Sequence, residues 1–510
     1  MLLLSFLLLL TIGVEQTFYL DEWDFISART AWDLPDLLRP HNEHWSTLPI
    51  LLYRAWYRVF GLDSYLPYRA IAVAAHLATA VMMRLVLRRI GLGPWLSSAV
   101  VLPWVLFGSG WENIVWGFQV AWTGAIALSL TQLLLADHDG PRGRRDALGL
   151  LAGLAAIMSA GIAVPMVATV GMSLLMLRGW RVAALHVVPL AAVYALWSSR
   201  HGDTSLLEPG PDTDKVSFIW ASMSSSVSSF SWWRGLGVVL SIGVALAIAS
   251  LVVQRSTVTR AQVAIPASFA VGAIGYLYVV ASGRAAFGAD TARASRYQHV
   301  VVLMLLPLLG LAALVATRWI RRIPSATRRV ATASLVLLLW AGIPGNLARL
   351  SDRDPDERVL HSQLERVEAM GALVAGRTDL PPGGQPFSAA PLLTIGWLQE
   401  AVAEGVLEGE LPGDQRVLAS LKRDLELLVV DEDADPSTCA PLRSPVTLDL
   451  DPGDTVSFRG ATVMVEIDGP NGVSGRRVDL TEGHTLIATE RIAVVFTPVF
   501  AGIQLCGKVP

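Results

Sequence analysis

Charge is scarce in this 510-residue chain: only 16% of residues are Asp, Glu, Lys or Arg, against 53% hydrophobic. A soluble domain usually carries about 25% charged residues, so the composition excludes a soluble globular protein and implies a polytopic membrane protein. Lysine is nearly missing, with only Lys215, Lys422 and Lys508. The net charge of −3 excludes the cationic surface that nucleic acid requires. No cysteine precedes Cys439, so a thiolate metal site in the membrane part is excluded. The N-terminal run MLLLSFLLLLTIGV has neither a basic n-region nor a small-residue cleavage site. It therefore reads as an uncleaved anchor, not a signal peptide.

Apolar runs that suit about 30 Å of hydrocarbon fall at 1–19, 68–88, 94–109, 115–136, 147–159, 162–178, 182–198, 235–253, 261–281, 299–317 and 329–346. Several are shorter than the ~20 residues of an ordinary span. With the N-terminus cytoplasmic, the loops 88–93, 137–146, 178–181, 254–260 and 318–329 are inside, and every one carries Arg. Segments 20–67, 110–114, 199–234, 282–298 and everything after about 346 are then outside. The membrane domain is 1–346, with a first outer loop at 20–67.

The outer tail changes character. Residues 347–437 read as a helical segment, with Leu360, Leu364 and Val367 at helical spacing in 355–378. From about 444, TVSFRG, ATVMVEI, HTLIATE and RIAVVFTPV alternate apolar and polar and are broken by DPGD and GPNG. That pattern predicts a small β-sandwich over 438–510. The expected fold class is mainly α, a helical bundle of about eleven spans carrying an extracytoplasmic α plus β-sandwich domain. Cys439 and Cys506 flank the sandwich, and a disulfide there would contribute on the order of 4 kcal/mol. Two free thiols are the alternative.

The first outer loop opens with three carboxylates, Asp21, Glu22 and Asp24, within FYLDEWDF. It continues through RPHNEHWSTLP to ILLYRAWYRVFG, where Arg54 and Arg58 share one helical face with Trp56 and Tyr57 nearby. The loop reads as two short interfacial helices with the HNEH turn between them. His41, Glu43 and His44 could ligate a divalent metal, since imidazole and carboxylate suit Zn or Mn; such a cluster also serves simply to hydrogen-bond a loop.

A first helix ending in an Asp-Glu pair, a long loop of two interfacial helices and many further spans resemble the GT-C superfamily of membrane glycosyltransferases. Protein O-mannosyltransferases and aminoarabinose transferases belong to it. The stretch DEWDF…PHNEHW…YLPYR also resembles actinobacterial membrane proteins placed near that superfamily. The resemblance covers about residues 1–346. It implies transfer of a sugar from a polyprenyl-phosphate or diphosphate carrier to a cell-envelope glycan, lipid or protein acceptor outside the cytoplasm. It also implies Asp21 as the base that takes the acceptor's proton, with Glu22 its neighbour.

Chemistry gives the carboxylates a purpose. General base catalysis contributes about 10²–10⁴-fold, and negative charge stabilises an oxocarbenium-like transition state. Asp24 lies three residues after Asp21 and would share its face in a helix. The plainer alternative is that these acids only mark a helix end in water. His41, Glu43 and His44 are candidates for sugar or acceptor binding. The departing phosphate needs fixed donors. Arg284, Arg293, Arg296 and Tyr297, followed by His299, stand in SGRAAFGADTARASRYQHV for that task. Arg293 and Arg296 are spaced to share a helical face. Glu112, Trp116 and Gln119 fall at i, i+4 and i+7 and predict a polar stripe entering the fourth span. A lipid-linked saccharide transporter would instead show repeats and mid-span ionisable residues. A non-catalytic envelope scaffold would place its function in the outer sandwich.

Overall fold

The computed structural model describes residues 2–12, 16–18, 20–202, 214–231, 234–253, 258–285, 289–351, 363–386, 393–430, 439–459, 463–470, 472–478, 485–498 and 503–507. The chain divides into two compact units. The first comprises Met1–Gln16, Ala31–Leu52 and Leu66–Arg353, and the second Thr17–Thr30, Tyr53–Tyr65 and Asp354–Pro510.

The first unit is helical. Its longer helices are α1 (Leu2–Ile12), the start of α2 (Thr47–Phe60), α3 (Leu66–Ile90), α4 (Pro94–Val105), α5 (Val120–Ala136), α6 (Arg144–Ile157), α7 (Ala163–Arg178) and α8 (Trp180–His201). There follow α9 (Lys215–Ser231), α10 (Arg234–Val253), α11 (Arg260–Arg284), α12 (Ser295–Ile320), α13 (Ser325–Trp340) and α14 (Ile343–Ser351). Among the described residues six helices are long and apolar enough to cross a membrane, which makes this a multi-pass membrane protein. Helix α12 is the most hydrophobic of them, and it buries Val300, Leu303, Met304 and Leu306 in the core. Helices α7 and α11 approach closely because Gly272 has no side chain: a Cβ there would lie 2.1 Å from the Thr169 hydroxyl.

One feature was not expected. Within 199–234, expected as an outer segment, the chain forms α9, which meets α10 at a 106° bend. Phe218, Ser222, Ser226 and Phe230 make its buried stripe at four-residue spacing. Five serines in the six residues 224–229 lower the hydropathy, which conceals the helix from a hydropathy reading.

Polar side chains gather at both ends of the bundle. At the lower end Arg89 pairs with Asp137 at 2.5 Å, and Arg178 pairs with the buried Asp146 at 2.6 Å. His138 also reaches Asp146, at 3.1 Å. At the upper end, where α11 finishes and α12 begins, Arg284 pairs with Glu43 and Arg296 with Glu112.

Among the described residues the second unit combines α15 (Gln363–Val374), α16 (Ile395–Ala403) and α17 (Gln415–Glu426) with nine strands. Leu360 of the expected amphipathic helix lies outside the described residues; Val367 is buried. The strands β1 (Leu427–Val430), β2 (Cys439–Pro441), β3 (Val446–Leu450), β4 (Thr455–Arg459), β5 (Val463–Gly469), β6 (Gly472–Val478), β7 (Thr485–Ala488), β8 (Ile492–Pro498) and β9 (Gln504–Gly507) form two antiparallel sheets, ordered β1-β7-β4-β9-β2 and β3-β8-β5-β6. In β5 (Val463–Gly469) Val463, Val465 and Ile467 are buried while the residues between them are not. They join Leu448, Val456, Phe458, Val494 and Phe496 in one apolar core shared by both sheets. Cys439 lies opposite Cys506 in the β2–β9 pair, and a disulfide joins them.

Candidate functional site

The acidic segment belongs to the second unit. Leu20 takes a positive φ of 50°, turning the chain so that Asp21 sits in the turn and Glu22 and Trp23 start a helical stretch. That stretch continues as a wide π-type turn over Asp24–Ala28. Asp21 is half-buried and Asp24 buried. Glu22 is fully buried and accepts hydrogen bonds from the Tyr53 hydroxyl at 2.5 Å and the Tyr65 hydroxyl at 2.8 Å. Arg54 donates to the carbonyl of Ile26. Trp23 packs on Phe18 and, edge-on, on Trp397. Glu22 is therefore held as the anchor of this segment, which leaves Asp21 as its more accessible carboxylate.

At the upper end of the first unit, His41 and His44 close a tight turn. Their backbones exchange two hydrogen bonds of 2.9 and 3.0 Å, and Asn42 adopts a φ of 50° to make the turn. The imidazoles diverge to different partners: His41 stands edge-on to Phe118 and His44 to Trp122. Gly161 permits the latter, since a Cβ there would lie 2.6 Å from His44 Nδ1. Glu43, between them, is held by Arg284 at 2.9 Å.

The stripe expected from Glu112, Trp116 and Gln119 does not exist as one helical face. Glu112–Val115 is a single turn, Trp116 is extended, and Gly117–Gln119 is a 3-10 turn ahead of α5. Tertiary ties to α12 outweigh local helix propensity here. The Glu112 carboxylate accepts from the Arg296 guanidinium and backbone N–H, both at 3.0 Å. The Glu112 N–H donates to Ser295. Gly117 weakens the helix further. Trp116 instead stacks on Phe118.

Arg293 and Arg296 also fail to share a face. A 3-10 turn ends at Arg293, Ala294 is extended, and α12 starts at Ser295. Arg293 is exposed and pairs with Asp290 at 3.4 Å, whereas Arg296 turns to Glu112 and lies 5.3 Å from the centre of the Tyr297 ring. Tyr297 is buried, with its ring 6.4 Å from that of Trp122.

Below lies a layer from which sequence reasoning singled out His299 but missed Asn113 and His76. Asn113 donates to the Arg296 carbonyl at 3.0 Å and stands 3.2 Å from His299 Nδ1. His299 Nε2 is 3.1 Å from His76 Nδ1, and His76 Nε2 is 3.1 Å from the Val105 carbonyl. Each ring nitrogen has one partner when both histidines are neutral and carry the proton on Nε2. Trp104 packs on both rings. His76 within an apolar span was the available signal, because ionisable residues inside the membrane are usually functional. Beside this chain the Tyr276 hydroxyl, Asn113 Oδ1 and Gln119 Oε1 are buried with no hydrogen-bond partner. Such orphaned polar atoms are costly without a ligand or water.

An apolar cavity of about 240 Å³ lies among α9, α10 and α12, lined by Met223, Phe230, Leu240, Val244, Val302 and Leu306 among others.

No family model and no curated protein matches the chain. Among solved structures it is similar to the crystal structure of ArnT from Cupriavidus metallidurans in the apo state, with a TM-score of 0.45 and 12% identity over 84% of this chain and 90% of that one. It is likewise similar to the same protein bound to undecaprenyl phosphate, with a TM-score of 0.41 and 12% identity over 84% and 91%. At such scores neither likeness bears on this chain's chemistry.

Proposed function

We propose that this protein is an integral-membrane glycosyltransferase that moves a sugar from a polyprenyl-phosphate donor to a cell-envelope acceptor on the non-cytoplasmic side. The observation that carries the reading is the upper end of the bundle. Two arginine–carboxylate pairs stand there beside buried, unpartnered polar atoms of Tyr276, Asn113 and Gln119. Buried polar atoms in an apolar bundle call for a polar ligand. The resemblance of the first loop to GT-C enzymes supplies the chemistry.

In this reading the acceptor oxygen attacks the anomeric carbon as the bond from that carbon to the phosphate oxygen breaks. The acceptor's proton passes to Asp21, with Asp24 adding negative charge beside the oxocarbenium-like centre. Arg284 and Arg296 hold the departing phosphate, their forks oriented beforehand by Glu43 and Glu112. Arg293, exposed and away from Arg296, is left out. The apolar cavity at α9, α10 and α12 suits a prenyl chain. We assign His41 and His44 to sugar or acceptor binding, where their rings stand edge-on to Phe118 and Trp122. We read α1, α4, α6, α7 and α10 as further crossings beside the six long ones, and the two sheets as a small extracytoplasmic sandwich.

The test supplies purified protein with labelled polyprenyl-phosphate sugars and crude envelope acceptor. Wild type is expected to transfer label, and Asp21→Asn to lose about 100-fold or more. Equal transfer by both proteins removes Asp21 from the mechanism. Sugar-independent lipid translocation in proteoliposomes, without transfer, replaces the enzyme with a flippase.

A further inference from the structure

A second cavity lies wholly within the second unit, immediately after the acidic segment in the chain. It measures about 320 Å³ and is lined by Ile26–Thr30, by Arg54 and Tyr57 of α2, and by Trp397, Glu400, Ala401, Glu404 and Val406. That volume is at the lower end of the range for small-ligand sites, about 300–1,000 Å³. Its make-up differs from the apolar majority of such sites. Two aromatic rings, two guanidinium groups and two carboxylates converge on one space, and Arg29 is 3% exposed.

Each of these groups suits a carbohydrate. A sugar ring presents an apolar C–H face that an indole or phenol ring can cover. Its hydroxyl edges both donate and accept, so carboxylates and guanidinium forks can each engage them with charge-assisted hydrogen bonds. The charges also select among sugars. Arg29 and Arg54 offset Glu400 and Glu404, so the cavity offers no net charge to an anion. Arg54 is further committed, since it donates to the Ile26 carbonyl and lies 5.4 Å from the centre of the Tyr57 ring. The Tyr57 hydroxyl is pushed up by burial, with Arg54 opposing and Glu404 and Glu400 adding to the rise. It therefore stays protonated at neutral pH and can both donate and accept.

The cavity's place in the fold points the same way. Trp397 meets Trp23 edge-on, with ring centres 6.3 Å apart, and Trp23 stands between Glu22 and Asp24 in the chain. A ligand seated against Trp397 is thus one aromatic ring removed from the carboxylate segment.

We propose that this cavity is the binding site for the neutral glycan end of the acceptor, one or two sugar residues long, with Trp397 covering a ring face and Glu400 and Glu404 accepting hydroxyl protons. The proposal rests on the transferase reading for the word acceptor, but glycan binding itself can be measured without any donor.

Full-length protein in nanodiscs is titrated calorimetrically with maltose, α-1,6-mannobiose and a β-linked galactobiose, and in parallel with digalacturonate and inorganic phosphate. At least one neutral disaccharide is expected to bind, with digalacturonate and phosphate about tenfold weaker or worse. Glu404→Gln, at an exposed position that tolerates substitution, and Trp397→Ala should each weaken that binding by about tenfold, the scale of one charge-assisted hydrogen bond. Binding of no neutral disaccharide, preference for the uronate or phosphate, or wild-type affinity in both variants overturns the proposal. Two outcomes separate it from the transferase reading. Cavity-dependent glycan binding without any sugar transfer leaves the site standing and removes the enzyme. Transfer whose KM for acceptor is unmoved in both variants leaves the enzyme standing and removes the site.

Discussion

Glu22 is fully buried, and the Tyr53 and Tyr65 hydroxyls, buried themselves, donate to it at 2.5 and 2.8 Å. A hydrogen bond to a charged group contributes about 1.5–3 kcal/mol, and leaving a buried carboxylate short of a donor costs on that scale. Tyr53→Phe removes the shorter bond and changes nothing else in shape. The opening free energy of this part of the second unit should fall by about 1.5–3 kcal/mol. Amide hydrogen exchange reads that local opening, so exchange over 22–28 and 53–60 should speed up by about 10- to 150-fold. Tyr65→Phe should do the same, and the pair should depart from additivity because both bonds end on one carboxylate oxygen. In a Glu22→Gln background the buried charge is gone, so Tyr53→Phe should cost only about 1 kcal/mol. Unchanged exchange in Tyr53→Phe, or an equal effect with and without the Glu22 charge, would refute the anchoring role of Glu22.

Two further predictions concern charge. Asp146, buried in the first turn of α6, accepts hydrogen bonds from Arg178 at 2.6 Å and the Gly143 N–H at 3.1 Å. A hydrogen bond to a charged group contributes about 1.5–3 kcal/mol, so Asp146→Asn should lower thermal stability at pH 7 on that scale. For Glu368 on α15 burial raises the pKa, helped by Glu408, Glu365 and Glu410. Its charged form is disfavoured in the fold, a penalty absent in acid and full at pH 7. Glu368→Gln should therefore stabilise the second unit at pH 7 and lose that advantage near pH 4, as urea unfolding would reveal.

Much of the architecture could be read from hydropathy, because length and apolarity are what a bilayer demands of a helix. The alternating strands of 455–459, 463–469 and 492–498 were legible for the same reason, since one face of each is buried. What was not legible depended on partners distant in sequence. The spacing of Glu112, Trp116 and Gln119 suggested a helix, but Arg296, 184 residues away, fixes Glu112 and the backbone breaks at Trp116. Arg293 and Arg296 looked like a pair until the extended Ala294 separated them. The serine-rich α9 hid its buried face in low hydropathy. Nothing local in FYLDEWDF separates Glu22 from its neighbours; only Tyr53 and Tyr65 do so. His76 and His299 meet across 223 residues, a contact that no window of sequence contains.

Sugar transfer outside the cytoplasm requires the carboxylate segment and the arginine end of the bundle to open on the same, non-cytoplasmic side of the membrane. Asp63 is exposed and lies two residues before Tyr65, which bonds Glu22; Asp290 is exposed and lies three residues before Arg293; and Arg142 is exposed in a lower-end loop. The native cysteines are joined in a disulfide, so single cysteines at these positions can be read with a membrane-impermeant maleimide. Asp63→Cys and Asp290→Cys should both label in intact cells, and Arg142→Cys only after permeabilisation. Labelling of positions 63 and 290 from opposite sides would contradict the account.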